Sequence, residues 1–156
     1  MEAIIREASA SDAGEIARLA EQLGYATTPE QAAQRMASVL SDDEHQVFVA
    51  EDTSGGIVGW AHVFGARRLV SDRFAEIGGL VVDEVRRGEG VGKALLARAE
   101  AWAMEGGYGA VRIRSNVVRE GALGFYEHLG YRCQKQQNAF FKPLPQREQA
   151  SPLELE

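Results

Sequence analysis

The chain has 156 residues, of which 45% are hydrophobic and 26% charged, the proportions of one soluble globular domain with a core large enough to need no disulfide or metal staple. Its 17 Lys and Arg against 23 Asp and Glu leave a net charge of −6, and an acidic surface repels phosphate backbones and anionic headgroups, so nucleic acid and membrane are not expected as partners. Cys133 is a lone cysteine, and His45, His62 and His128 are too scattered to form a metal-ligand set, so no metal is expected.

Residues 3–8 read as an opening strand, and the ASASD that follows is rich in helix-capping types. Asp12 with Glu15 resembles a capping box, after which Ile16, Leu19, Ala20 and Leu23 recur at helical spacing until Gly24. A second helix starts at Thr28 as N-cap, with Pro29 at the first helical position and Gln31 at the reciprocal capping site; Ala32, Met36, Val39 and Leu40 form its apolar stripe. Strands at 46–51 and 57–64, joined by the turn DTSGG, predict a hairpin. Residues 65–74 show no clear period and read as a loop or strand end, and 75–82 read as a more buried strand. A helix over 91–104, ended by GGYG, a strand over 110–115, a helix over about 120–128 and a final strand from Tyr131 to Phe141 complete the series. The tail from residue 144 to 156, with two prolines and little to bury, reads as disordered. A strand hairpin followed by strand-helix alternation argues a mixed α/β or α+β sheet. There is no apolar run of signal or membrane-spanning length, so the expected compartment is the cytoplasm.

The strongest chemical signal is Leu80-Val81-Val82 running into Arg87-Gly88-Glu89-Gly90-Val91-Gly92-Lys93 at the opening of a helix. Glycines allow several backbone N–H groups to face one concavity, and a helix N-terminus adds partial positive charge, so such a turn can hold a phosphate or pyrophosphate. A P-loop would need a glycine upstream and a hydroxyl after Lys93, where Ala94 stands. A Rossmann turn would need a third glycine at Leu95. Both fail.

Arg-x-x-Gly-x-Gly (Arg87, Gly90, Gly92), preceded by Leu-x-Val and followed about 35 residues later by Ala122-x-x-Phe125-Tyr126-x-x-x-Gly130-Tyr131, resembles the GNAT superfamily of N-acetyltransferases. Roughly residues 3–143 can be laid on that pattern. The resemblance implies an α+β domain over 1–143 with a splayed, mostly antiparallel central sheet flanked by helices. It implies acetyl-CoA as acyl donor, with pantetheine held along Leu80, Val81 and Val82 and the pyrophosphate held by Arg87 to Lys93. It also implies Tyr126 as the acid that protonates the departing thiolate, and Glu76 as the base that takes the ammonium proton, commonly through water. Many members carry a pantetheine-contacting Asn where Arg119 stands here; Asn116 is the nearby substitute, equally readable as a strand-end or capping residue. The stretch RSNVVREGALGFYEHLGY looks like the small-amine branch, among aminoalkylphosphonate and aminoglycoside acetyltransferases.

On the residues themselves, Tyr126 could equally be a core aromatic beside Phe125, and Glu76 a surface strand carboxylate. His62 and Glu51 are weaker base candidates. Arg67, Arg68 and Arg73 could steer an anionic substrate or only solvate a loop, His128 belongs to a solvent face, and Cys133 has no histidine to activate it. The expected reaction is direct attack of a small-molecule primary amine on the thioester. The rival readings are a protein or peptide N-acetyltransferase, a non-catalytic acyl-CoA sensor, and a thioesterase. A homodimer is the assembly left open.

Overall fold

Ser9, not Asp12, sets where the first helical segment begins. The Asp12 carboxylate accepts the Ser9 N–H at 2.8 Å, so the capping box lies one turn earlier than the sequence suggests. The reason is Arg6, whose guanidinium donates to both Asp12 oxygens at 2.9 Å and draws that carboxylate inward, where it is 6% exposed. The same guanidinium reaches Glu51 at 2.9 Å. These bonds hold the Asp12 carboxyl below its ordinary range.

The computed structural model describes residues 2–115 and 121–146. They fall in two compact units, 1–115 and 116–156.

The first unit contains β1 (Ala3–Glu7), α1 (Ala13–Gln22), α2 (Pro29–Leu40), β2 (His45–Asp52), β3 (Ile57–Arg68), β4 (Ser71–Val82), α3 (Val91–Glu105) and β5 (Val111–Ile113). Thr28 and Gln31 cap α2 reciprocally, each bond 3.1 Å, as their spacing predicts. The sheet order is β1-β2-β3-β4-β5, antiparallel throughout except for the parallel β4–β5 pair, to which the chain returns through α3. The fold is therefore α+β with an open, mostly antiparallel sheet.

Residues 65–74, read from sequence as a loop or strand end, extend β3 and β4 into a long hairpin, paired Ala66 to Phe74 and Arg68 to Ser71, with Leu69 and Val70 exposed at its tip. Two guanidiniums supply what periodicity does not show: those of Arg68 and Arg112 stand over the Phe74 ring, 5.5 and 4.6 Å from its centroid.

Strand alternation divides the core. Val47, Val49, Ile57 and Val81 pack under α1 and α2 with Ile16, Leu19 and Met36. On the other face α3 packs against β2, β3 and β4, burying Val91, Leu95, Leu96, Ala99 and Ala103 along one side. Side chains such as Leu19, Phe48 and Leu95 are fully buried, each contributing about 1.5–3 kcal/mol by leaving water. Gly59 lets α3 approach, since a Cβ there would meet Val81 O at 2.9 Å and the Leu95 and Val91 side chains.

In the second unit, α4 (Ala122–His128) is followed by a chain without regular structure to residue 146. The strand expected from Tyr131 to Phe141 is absent. Arg132 to Asn138 offer only Cys133 as an apolar residue, too little alternation to bury a strand face.

Candidate active site

Three features of the first unit meet at one end of β4. The first is the turn after it. Gly88 and Gly90 have φ of +83° and +88°, a left-handed backbone that glycine alone adopts at no steric cost. No side chain caps α3 at Gly90, and the first helical bond is Ala94 N–H to Gly90 O at 3.0 Å. The amides of Val91, Gly92 and Lys93 thus start the helix without an intrahelical acceptor, an arrangement that suits an anion. Arg87 rests loosely, its Nε 3.4 Å from Val82 O. Glu89 faces Arg86 at 3.2 Å, and Arg86 also holds Asp52 at 3.0 Å, so this pair braces the turn against the β2–β3 hairpin.

The second feature is an open edge. β5 pairs with β4 only from Ala75 to Ile77. Beyond that, from Gly78 through Leu80, Val81 and Val82, no strand among the described residues pairs with this side of β4. An unpaired strand edge offers N–H and C=O groups to an extended ligand. Val81 turns its side chain into the core at 1% exposure, while Leu80 and Val82 are half-buried.

The third is a bulge. His62 pairs with Gly79 and Val63 with Ile77, which leaves Gly78 without a partner across the β3–β4 ladder. A Cβ on Gly78 would meet His62 Nδ1 and the Phe64 ring; one on Gly79 would meet the Trp60 indole at 2.7 Å. Both glycines therefore turn toward the face that carries Trp60, His62 and Phe64. The two-glycine signal lay in the sequence, but only the register reveals what it does.

Glu76 pairs with Phe64 and lies on that same face, half-buried. Its Oε1 accepts from Arg112 Nε at 2.7 Å, is also met by Arg112 Nη2, and stands 3.7 Å from Arg114 Nε. Two arginines from β5 and the residues after it thus hold the residue expected as base, and sequence reading identified neither. His62 is hydrogen-bonded through Nε2 to His45 Nδ1 at 2.9 Å, and burial first, then His45, pushes its pKa down to about 4. Arg67 is tied to Glu44, and Arg73 lies over Tyr108 on the opposite face of the hairpin.

In the second unit Tyr126 is half-buried on α4, edge-on to Phe125 at 5.2 Å and to Tyr131 at 6.2 Å between ring centroids. His128 is exposed, as expected, and Cys133 is exposed and forms no disulfide. Asn116 and residues 147–156 lie outside the described residues. Among the described residues, no helix is long and apolar enough to cross a membrane.

The α+β fold, with a mostly antiparallel sheet that opens beside a turn suited to an anion, matches the GNAT fold. The acetyltransferase (GNAT) family matches residues 11–131, and the chain belongs to that family. Among solved structures, it is similar to a transcriptional regulator from Bacillus halodurans C-125 (22% identity, TM-score 0.81, covering 90% of this chain and 100% of that one). It is also similar to glucosamine-6-phosphate N-acetyltransferase from Arabidopsis thaliana (23%, 0.78, 90% and 99%) and to an acetyltransferase from Trypanosoma brucei (25%, 0.75, 90% and 100%). Comparison with curated proteins gives no match.

Proposed function

We propose that this acetyltransferase moves an acetyl group from acetyl-CoA to the primary amine of a small molecule by direct attack. One observation carries the reading: the free edge of β4 leads, through a single 3-10 turn at Glu84–Arg86, into the uncapped glycine turn. Leu80 to Val82 would pair with the pantetheine amides, and Arg87 to Lys93 would hold the pyrophosphate. Asn116, three residues before the motif's Asn position, which Arg119 occupies, remains the candidate pantetheine contact. When bound, acetyl-CoA supplies the activated acetyl thioester. A carrier seated by its pyrophosphate and lying along this edge brings its acyl end to Gly78, where an amide of the bulge can steady the carbonyl oxygen. Tyr126 supplies the proton for the leaving sulfur. No covalent enzyme intermediate is needed.

Glu76 has a different task in this reading from the one its place in the family pattern implies. With Oε1 engaged by Arg112 and approached by Arg114, it positions those guanidiniums. Arg68, Arg112 and Arg114 outnumber it on this face, a local positive field in a chain of net charge −6. That field favours an amine that also bears an anionic group.

The test is release of CoA thiol from acetyl-CoA with amino acids, aminophosphonates, aminoglycosides, polyamines and N-terminal peptides, with calorimetry of acetyl-CoA binding beside it. Turnover with small amines, fastest for anionic ones, is expected. Turnover with peptides only would make the chain a peptide N-acetyltransferase, and tight binding without turnover would make it a sensor.

A further inference from the structure

We propose that His62 and His45 form a proton relay that carries the acceptor's surplus proton from the bulge of β4 to solvent. The inference rests on the transfer reading above. Its observation is a line of nitrogens: His62 Nδ1 lies 2.7 Å from where a Gly78 Cβ would stand, His62 Nε2 is 2.9 Å from His45 Nδ1, and His45 Nε2 is 3.9 Å from the exposed Asp42 carboxylate. One end of the line opens where the acyl group would sit, and the other reaches the surface.

The proton balance gives such a relay work to do. An ammonium acceptor gives up two protons as its nitrogen bonds to the acetyl carbon and the C–S bond breaks. One proton ends on the CoA sulfur, by way of Tyr126, and the other must leave. For the outward path both rings hold their proton at Nε2. His62 Nδ1 takes the surplus proton, directly or through one water, while Nε2–H passes to His45 Nδ1, and His45 Nε2–H passes to Asp42 or water. Between turnovers each ring turns out of the line and exchanges its Nδ1 proton for one at Nε2 with water, because a reset through the line itself would carry the proton back to the bulge.

The surroundings favour passage over storage of charge. Phe64 lies against both rings, stacked on His45 at 5.2 Å between centroids and tilted by 35° to His62 at 5.4 Å. Half-burial and the neighbouring ring keep His62 neutral at physiological pH, ready to accept. The other charged groups near this line are already paired: Glu44 with Arg67, and Glu76 with Arg112 and Arg114. Asp42, 55% exposed, is the outlet.

The experiment uses the full chain and the best amine of the panel. His62→Phe keeps a ring in the stack and removes both nitrogens; His45→Asn keeps an acceptor for His62 and interrupts the path. Expected are a fall in kcat of about 100-fold for the first and about tenfold for the second, acetyl-CoA affinity within about twofold of wild type, and partial recovery of His45→Asn as imidazole buffer is added. Nitrogen-15 spectra of the rings without donor should show His62 as the neutral Nε2–H tautomer at pH 7. If wild type transfers acetyl but His62→Phe keeps kcat within about twofold, or the spectra show the opposite tautomer, the relay is wrong and the transfer reading stands. If wild type binds acetyl-CoA and acetylates no amine, both are wrong.

Discussion

Gly78 and His62 claim the same volume: a Cβ on the glycine would stand 2.7 Å from the imidazole Nδ1 and 3.0 Å from the Phe64 ring. The bulge therefore exists in this form only with glycine at its unpaired position. Gly78→Ala should cost about 1–3 kcal/mol by overpacking and displace the His62 ring. Urea titration measures the first effect, and the His62 ring resonances the second. Gly79→Ala should be similarly costly but perturb Trp60 fluorescence instead, because its Cβ would meet the indole.

Arg87→Glu in the turn should weaken acetyl-CoA by at least tenfold, about 1.4 kcal/mol, by opposing a pyrophosphate with a carboxylate. Gly90→Asp should do the same and also lower stability, since φ there is +88°. Calorimetry checks both, and unchanged affinity for Arg87→Glu would remove the turn from the donor site.

Tyr126→Phe keeps the ring that meets Phe125 and Tyr131 and deletes one hydroxyl. If that hydroxyl protonates the leaving sulfur, kcat falls by roughly 100-fold while thermal stability holds. A matching loss of stability would make it a packing residue. Glu76→Gln should separate binding from chemistry: with Arg112 and Arg114 no longer opposed by a carboxylate, KM for the amine should change several-fold while the pH profile of kcat/KM keeps its shape. A lost acidic limb would instead return Glu76 to the role of base.

Stability should fall in acid in two stages. His62 titrates near 4 in the fold, below the ordinary 6.5, so the unfolded chain takes up this proton first as pH drops, and stability declines between pH 6.5 and 4 by at most roughly 3 kcal/mol. Asp12 is shifted down by Arg6; its contribution is complete above the ordinary carboxylate range and disappears as pH falls through its folded value. Denaturant midpoints from pH 8 to 2 should be flatter for His62→Phe over the first interval and for Asp12→Asn over the second, the latter also starting about 2–3 kcal/mol lower because Arg6 loses a buried partner.

Much of this molecule was legible along the chain. Helical spacing located α1, α2 and α3, and the glycine turn identified itself because residues 87–93 combine several glycines with basic residues at a strand-to-helix junction. What stayed hidden depends on pairing across the sheet. The hairpin from 65 to 74 is held by ladder bonds and arginine-aromatic contacts that carry no period, and Arg112 meets Glu76 only because β5 lies parallel to β4 in one register. The His45–His62 bond joins residues on neighbouring strands, 17 positions apart. Sequence spacing could not bring them together.

The short β4–β5 pairing has a consequence for handling the protein. With β5 ending its ladder at Ile77, the side of β4 that would receive the acyl carrier is also a strand edge on which another polypeptide could add. Occupancy by acetyl-CoA would then act as a chaperone for the fold, raising the melting temperature by mass action and suppressing edge-to-edge association. Preparations kept with the carrier should stay monodisperse longer than those without it.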